Sequence, residues 1–284
     1  MTEIIIDTSN LAYACYYAKG YRFANFEGKK TSHIYGFVSK LNSFYNKFGK
    51  KGDALVFVFA IDGYPKHVYK VFPGYKANRI RGRFNPVPDI EKIIRTLPCR
   101  IIYNRHEEAD SVIASYVKKI DDCTIVISSD HDLWQLFGKR VLLADLSGNV
   151  ISRDYVESKY GIRNPKKICL YKAIFGDKSD NIPKLNCRLP RKKIIDVINS
   201  SKTLKSFFSI SKRDSHLREI IQNNREQIKF FYKIVKLKNK VKVKQEDIRG
   251  DKTIFLKIMK DNGIKKYGSD FWINLKKGRK CYGI

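Results

Sequence analysis

Acid is scarce in this chain of 284 residues, with 28 Asp and Glu against 57 Lys and Arg and a formal charge of +29. Long apolar runs are missing as well. The longest are strand-sized, which excludes a helical membrane span. The six cysteines, Cys15, Cys99, Cys123, Cys169, Cys187 and Cys281, show no CxxC spacing, so they read as reduced thiols and not as a zinc site. His33, His67, His106, His131 and His216 form no ligand pattern either. No basic leader precedes the first apolar stretch, which contains Asp7. That argues against a signal peptide and leads us to expect a cytoplasmic protein. Internal repeats and long linkers are also absent. A hydrophobic content of 43% supplies a core and excludes disorder.

The charge that is present is uneven. Residues 1–150 hold 22 Lys and Arg and 15 Asp and Glu, whereas residues 151–284 hold 35 and 13. A basic excess of this size implies a polyanionic partner, held by releasing condensed counterions. Lysine enrichment for solubility alone is the plainer alternative.

Short β-branched runs recur at Glu3–Ile6, Ala54–Ile61, Arg100–Tyr103, Thr124–Ser128 and Val141–Ala144. Helical stripes fill the gaps, one over residues 31–48 and another from Ala109 to Ile120. Alternating strands and helices predict an α/β fold with a mostly parallel central sheet flanked by helices. Beyond Tyr155 the strand pattern stops, and helices are expected near Pro165–Phe175, Arg191–Asn199, His216–Lys236 and Asp251–Asp261. The expected organisation is an α/β core over 1–160 and a basic helical region over 161–284, with a soft boundary. Lys233–Lys244 alternates lysine with apolar residues and reads equally as a helix end or an edge strand.

Five times an acid sits at the end of an apolar run or in a short acidic cluster: Asp7, Asp62, the EEAD run (Glu107, Glu108, Asp110), Asp130 with Asp132, and Asp177 with Asp180. Asp7, Asp62 and Asp130 each follow a strand, so all three should reach the crevice outside the carboxyl ends of a parallel sheet. Carboxylates gathered there repel one another unless cations compensate. Oxygen-only ligands favour hard ions such as Mg²⁺ or Mn²⁺, and two such ions form a familiar phosphodiesterase centre. Asp7, Asp62, Glu108 and Asp110 make one candidate group. Asp130, Asp132 and Asp180 make the other, with Asp177 at its margin. Glu108 and Asp110 would point apart on an ideal helix, so they should lie at its irregular start. Singly, each acid has a plainer use: Asp7 and Asp130 as helix caps, Asp177–Asn181 as a polar turn.

Residues 71–88 (VFPGYKANRIRGRFNPVP) carry three prolines, two glycines and the cations Lys76, Arg79, Arg81 and Arg83, without an apolar stripe. Starting soon after Asp62, the segment should project beside the crevice. An ordinary solvated loop is the alternative.

The order IIIDTSN, AIDG, YKANR, EEAD, ISSDHD, GDKSDN resembles the 5′-nuclease (flap endonuclease) superfamily over residues 1 to about 185. That family includes phage 5′-3′ exonucleases and the 5′-nuclease domain of bacterial DNA polymerase I. The resemblance implies a metal-bound acidic crevice under a basic arch, with Asp7, Asp62, Glu108, Asp110, Asp130, Asp132 and Asp180 as metal ligands. It matches Tyr75, Lys76 and Arg79 to a YKxxR motif whose lysine and arginine contact the scissile phosphate. Three features depart from the family pattern. Ser111 stands where a second aspartate is common, and His131 where glycine is frequent. After Asp180 the chain reads IPKLNCRLPRKK instead of a glycine-rich hairpin. Lys184, Arg188, Arg191, Lys192 and Lys193 would then grip duplex phosphates through side chains in place of backbone amides around a K⁺ ion. Tyr75, Arg81 and Arg83 are expected to contact DNA as well.

The expected function is a metal-dependent, structure-specific 5′-nuclease with two bound ions. It would hydrolyse phosphodiesters near 5′ ends, flaps or RNA primers during replication, as a phage enzyme that clears primers or flaps would. Its partners would be branched or 5′-ended DNA, an RNA–DNA hybrid, and a replication protein, with the chain itself monomeric and off the membrane. A PIN-type ribonuclease would share the acidic sheet but not the YKxxR segment. A catalytically inactive DNA-binding protein has only Ser111 in its favour.

Overall fold

Runs of Ile, Val and Phe build the sheet that positions everything else. The structure, a computed structural model, describes residues 2–18, 25–49, 55–79, 84–188, 190–211 and 214–280. In chain order it begins with β1 (Thr2–Asp7), α1 (Thr8–Tyr17), a small hairpin of β2 (Asn25–Phe26) and β3 (Lys29–Lys30), and α2 (Ser32–Phe48). There follow β4 (Leu55–Ile61), α3 (Lys66–Val71), α4 (Val87–Ile94), β5 (Cys99–Tyr103), α5 (Ala109–Val117) and β6 (Cys123–Ile127). After a 3-10 helix at His131–Leu136 come β7 (Val141–Ala144), α6 (Arg153–Tyr160) and α7 (Ile168–Phe175). The chain continues through α8 (Arg191–Ser200), α9 (Leu204–Ile210), α10 (Ser215–Asn223) and α11 (Arg225–Val235). It ends with β8 (Lys244–Ile248), α12 (Lys252–Asp261) and α13 (Ser269–Lys280).

The main sheet has the order β7-β6-β1-β4-β5-β8. All neighbours are parallel except β8, which runs antiparallel to β5. Strand period sorts the β1 side chains. Ile4 and Ile6 enter a core with Phe37, Phe44 and Phe59, while Ile5 faces the opposite core with Val58, Val112 and Ile113. Burial on both faces explains why these strands read as continuous apolar runs.

The register places the acids. Asp7 pairs with Ala60 of β4, two residues before Asp62, and Ile6 pairs with Ile127 of β6, three residues before Asp130. Parallel strands in this register end together, so the carboxylates that follow them share one edge.

The structure departs from the sequence expectations in the second half. The strand pattern does not stop at Tyr155, because Lys244–Ile248 adds an edge strand to the sheet. Its sequence KQEDI has no apolar alternation. It pairs antiparallel with β5 and is braced by two ion pairs, Arg100 Nε of β5 to Asp247 Oδ1 at 3.1 Å and Arg95, at the end of α4, to Glu246 Oε2 at 3.2 Å. The final helices return to the first core, where Phe255, Met259, Phe271, Trp272 and Leu275 pack with Ile4 and Phe57. The stretch expected as one helix over 216–236 is two, divided at Asn224. Among the described residues, no helix is long and apolar enough to cross a membrane.

Candidate active site

Each acid is set by the local structure around it. Asp7 caps α1, accepting from Asn10 N at 3.1 Å, and its second oxygen accepts from Ser128 Oγ at 3.2 Å. Asp62 Oδ1 accepts from Ala109 N at 2.8 Å, which ties the end of β4 to the start of α5. Glu108 is the N-cap residue of α5 and Asp110 lies in its first turn, the irregular start that their spacing requires. Asp130 caps the 3-10 helix, accepting from Asp132 N at 2.8 Å. Asp177 closes the predicted polar turn, accepting from Ser179 N at 2.8 Å and Ser179 Oγ at 2.7 Å. The capping and turn readings of these acids therefore hold alongside any ligand role.

The fold gathers the acids tightly in one place. Asp132, Asp177 and Asp180 each present an oxygen within 4.8 Å of the others, the one such group among the described residues. Asp177, expected at the margin, is a full member. Asp130 lies outside this triad, and Asp7, Asp62, Glu108 and Asp110 do not close into a second group at that distance. They still act on one another. Burial, with the charges of Asp62 and Asp130, pushes Asp7 up to about 7. Burial likewise drives Asp132 up to about 8 against the pull of Lys172, with Asp130 and Asp180 adding to the rise. Asp110 is raised by burial and by Glu108, and Asp180 by burial in spite of Lys76.

Cations from the turn that follows α3 enter this cluster. Lys76, at a positive φ of 56°, places Nζ 2.6 Å from Glu108 Oε1 and 3.8 Å from Asp180 Oδ1. Burial would depress its ammonium, but Asp180 and Glu108 outweigh burial and hold it above the ordinary lysine range. Arg79 adds a contact of 3.0 Å to Asp180 Oδ1. Tyr75, expected to contact DNA, lines this cleft and is buried at 5% exposure. Its hydroxyl donates to Glu108 Oε2 at 2.7 Å and to Asp180 Oδ2 at 3.3 Å, so it braces the carboxylates from beneath.

Sequence reasoning missed Lys172. On α7 its Nζ lies 2.6 Å from Asp132 Oδ1 and 2.7 Å from Asp177 Oδ2. Burial opposes its charge, yet Asp132, Asp130 and Asp177 keep it raised. The signal was available: one lysine in the apolar run ICLYKAIF, whose other residues but Phe175 are all buried. Burial pushes Asp177 up, but Lys172 and Ser179 outweigh it and leave the carboxyl below its usual value.

His131 turns away from the acids. Its Nδ1 lies 2.6 Å from Tyr160 Oη and its ring 4.1 Å from that of Trp134, and burial with Lys159 and Lys172 lowers it to about 4. Ser111 lines the cleft that also holds Glu108, Asp110, Asp132 and Asp180.

The cations that follow Asp180, namely Lys184, Arg188, Arg191, Lys192 and Lys193, are all exposed. Arg191 lies over Tyr171 and Phe175, 5.2 Å from each ring, and Lys193 pairs with Asp214 at 2.8 Å. Arg81 and Arg83 lie outside the described residues, as does Cys281.

The donor set fits divalent cations. It offers carboxylate oxygens alone, buried at Asp7, Asp132 and Asp180, and their mutual repulsion at the positions of Asp7, Asp110 and Asp132 calls for positive charge beyond the two lysines.

Comparison with known proteins agrees with this geometry. The family model of the 5'-3' exonuclease, N-terminal resolvase-like domain, matches residues 2–161. The chain is 29% identical over 259 residues to a 5'-3' exonuclease of Aquifex aeolicus (strain VF5), covering 87% of this chain and 86% of that one. It is 29% identical over 192 residues to the thermostable DNA polymerase I of Thermus aquaticus, spanning 22% of that protein. Among solved structures, the T5 D15 protein co-crystallised with metal ions superposes with a TM-score of 0.64 at 17% identity, covering 98% of this chain and 97% of that one. Human GEN1 in complex with Holliday junction DNA gives 0.57 at 14% identity, with 96% and 71% covered. These last two share the fold. The family match over more than half of the chain, on the sheet whose edge carries the acids, means that this protein belongs to the 5′-3′ exonuclease family of the 5′-nuclease superfamily and is a hydrolytic nuclease.

Proposed function

We propose that the chain is a two-metal, structure-specific 5′-nuclease acting on DNA at 5′ ends, flaps and branched junctions, and on RNA primers paired to DNA. The observation that carries this reading is the interleaving of buried carboxylates with Lys76 and Lys172 at one sheet edge. Such an edge repels a phosphodiester until cations neutralise it, which suits hydrolysis under metal control.

Asp132, Asp177 and Asp180 would hold one ion, and Asp7, Asp62, Glu108, Asp110 and Asp130 would hold the other, Mg²⁺ or Mn²⁺ in each case. When bound, the ions would activate a water and neutralise charge on the transferring phosphoryl group. Lys76 keeps its charge because Asp180 and Glu108 hold it, so its ammonium is ready to exchange Glu108 Oε1 for a phosphate oxygen. Arg79, half exposed and anchored on Asp180, supplies a planar donor pair beside it. Tyr75 and the α5 N-terminus orient Glu108 and Asp110 without touching solvent-side substrate. Lys184, Arg188, Arg191, Lys192 and Lys193 hold the duplex, dividing the chain's work between an acidic edge and a basic surface. We also propose that it acts as a monomer in the cytoplasm, in concert with a replication protein.

One experiment separates this reading from an inactive DNA-binding protein and from a PIN-type ribonuclease. A labelled 5′ flap, nicked duplex, blunt duplex, RNA–DNA hybrid and single-stranded RNA are incubated with Mg²⁺ or with EDTA. Metal-dependent release near the 5′ end of the flap and nicked substrates is expected. Binding without release, or cleavage of single-stranded RNA alone, would overturn it.

A further inference from the structure

A lysine-rich strap joins α11 to β8 beside the acid cluster. From Lys236 to Lys244 (KLKNKVKVK) every second residue is lysine. The strap has no regular structure over 236–243, yet buried side chains fix its backbone. Gln135 donates to Val235 O at 3.0 Å and accepts from Leu237 N at 3.2 Å. Ser115 Oγ donates to Lys238 O at 3.2 Å and accepts from Val241 N at 2.9 Å, and Asn104 Nδ2 donates to Lys242 O at 2.8 Å. Leu237 and Val243 pack against the core under α5. A backbone so fastened holds its lysines outward, and Lys236, Lys240, Lys242 and Lys244 are exposed.

The strap curves around an open groove of about 470 Å³ lined by Asn104, Glu107, Lys238, Asn239, Lys240 and Lys242. The one acid in this groove is neutralised, since Lys238 Nζ lies 3.1 Å from Glu107 Oε2 and also contacts His67. The groove adjoins the active site, because Lys236 and Lys238 also line the cleft that holds Glu108, Asp110, Asp132 and Asp180.

We propose that this strap is a phosphate track for one unpaired strand of nucleic acid leaving the crevice. The proposal rests on the nuclease reading above and adds a binding site to it. Exposed lysines at alternate positions of a fastened backbone offer a row of donors along a single strand. A groove of this volume admits one sugar–phosphate chain, whereas a double helix would meet only the lysine tips. No aromatic side chain lines it, so bases are not stacked there and binding is indifferent to sequence.

The test uses Lys240, Lys242 and Lys244, none of which belongs to the catalytic cluster. The triple alanine variant and a triple arginine variant of the full chain are titrated without divalent metal. The probes are an oligo-dT strand, a nicked duplex with a 5′ single-stranded arm, and the same duplex without it. For single strands each lost phosphate contact removes about 0.7 from the salt slope, so the alanine variant should lose about two units on oligo-dT and on the armed duplex. It should bind the armless duplex as the parent does, and the arginine variant should match the parent throughout. An unchanged slope on oligo-dT, or an equal loss on the armless duplex, overturns the track. Thermal melting of each variant shows whether it is folded. Failure of the parent chain to cleave any substrate would count against the nuclease reading alone, since the track is read by binding.

Discussion

Lys172 bridges two members of the acidic triad, its Nζ 2.6 Å from Asp132 Oδ1 and 2.7 Å from Asp177 Oδ2, with its side chain and that of Asp132 under 8% exposed. The fold thus supplies from within one of the cations that its clustered carboxylates require. Removing one partner of a buried ion pair typically costs about 3–5 kcal/mol, because the other charge is stranded. Lys172→Met should lower the melting temperature of metal-free protein sharply, with Mg²⁺ restoring much of it. A variant that melts like the parent in EDTA would show that the lysine is not needed to balance the acids.

The two acids after β6 sit on either side of the 3-10 helix start. Asp130→Asn with Asp132→Asn removes charge that repels phosphate, so flap binding should persist or tighten while cleavage in Mg²⁺ is lost. Turnover above a few per cent of the parent would remove these residues from the metal-binding set.

Lys76 is held by Glu108 and Asp180 at the base of the arch segment. Loss of one group that stabilises developing charge slows the chemical step by about a hundredfold or more. Lys76→Ala should show that loss in single-turnover cleavage with little change in flap affinity. If affinity collapses and the chemical step is normal, Lys76 only binds.

Asp7 near 7 and Asp132 near 8 both lie above the ordinary aspartate value of 3.8. A carboxyl raised in this way binds its proton more tightly folded than unfolded. Its contribution to stability is therefore full below pH 4 and is lost as pH climbs through about 7 to 8. Ions compete with those protons, so metal affinity should rise across the same window. Calorimetry in two buffers of different ionisation enthalpy should detect proton release on Mg²⁺ binding at pH 6.5. The thermal shift caused by Mg²⁺ should be larger at pH 8.5 than at pH 6. A shift that is flat with pH would mean that these acids do not meet the ion.

We propose that the cations after Asp180 do by side chain what a glycine-rich loop would do through backbone amides. On a duplex each side-chain contact contributes about 0.9 to the salt slope, and the triple variant Arg191→Ala, Lys192→Ala, Lys193→Ala should lose about two to three units. Lys193 must exchange Asp214 for phosphate, and Arg191 must do so from its place over Tyr171 and Phe175. An unchanged slope, or binding that depends on K⁺ over Na⁺, would place the duplex grip elsewhere.

Strand-sized apolar runs ending in aspartate were enough to predict a mostly parallel sheet and to send Asp7, Asp62 and Asp130 to one edge. Both features are local: a buried parallel strand is apolar throughout, and the residue after it leaves the sheet at a known end. Motif order then identified the family. Other features had no local signal. KQEDI became a strand by pairing antiparallel with β5, where Arg100 of β5 meets Asp247 and Arg95 at the end of α4 meets Glu246. Which carboxylates come within ligand distance was decided by packing α7 and its following turn against the 3-10 helix. That step brings Lys172 and Asp177 to Asp132, 40 and 45 residues away in the chain. Tyr75 went under the acids for the same reason: its hydroxyl finds Glu108 and Asp180 only once β4, α5 and the Asp180 turn are assembled. Periodicity reports which face of an element is buried. The partner of a buried charge is chosen by the tertiary fold, because only there does desolvation force each charge to find one.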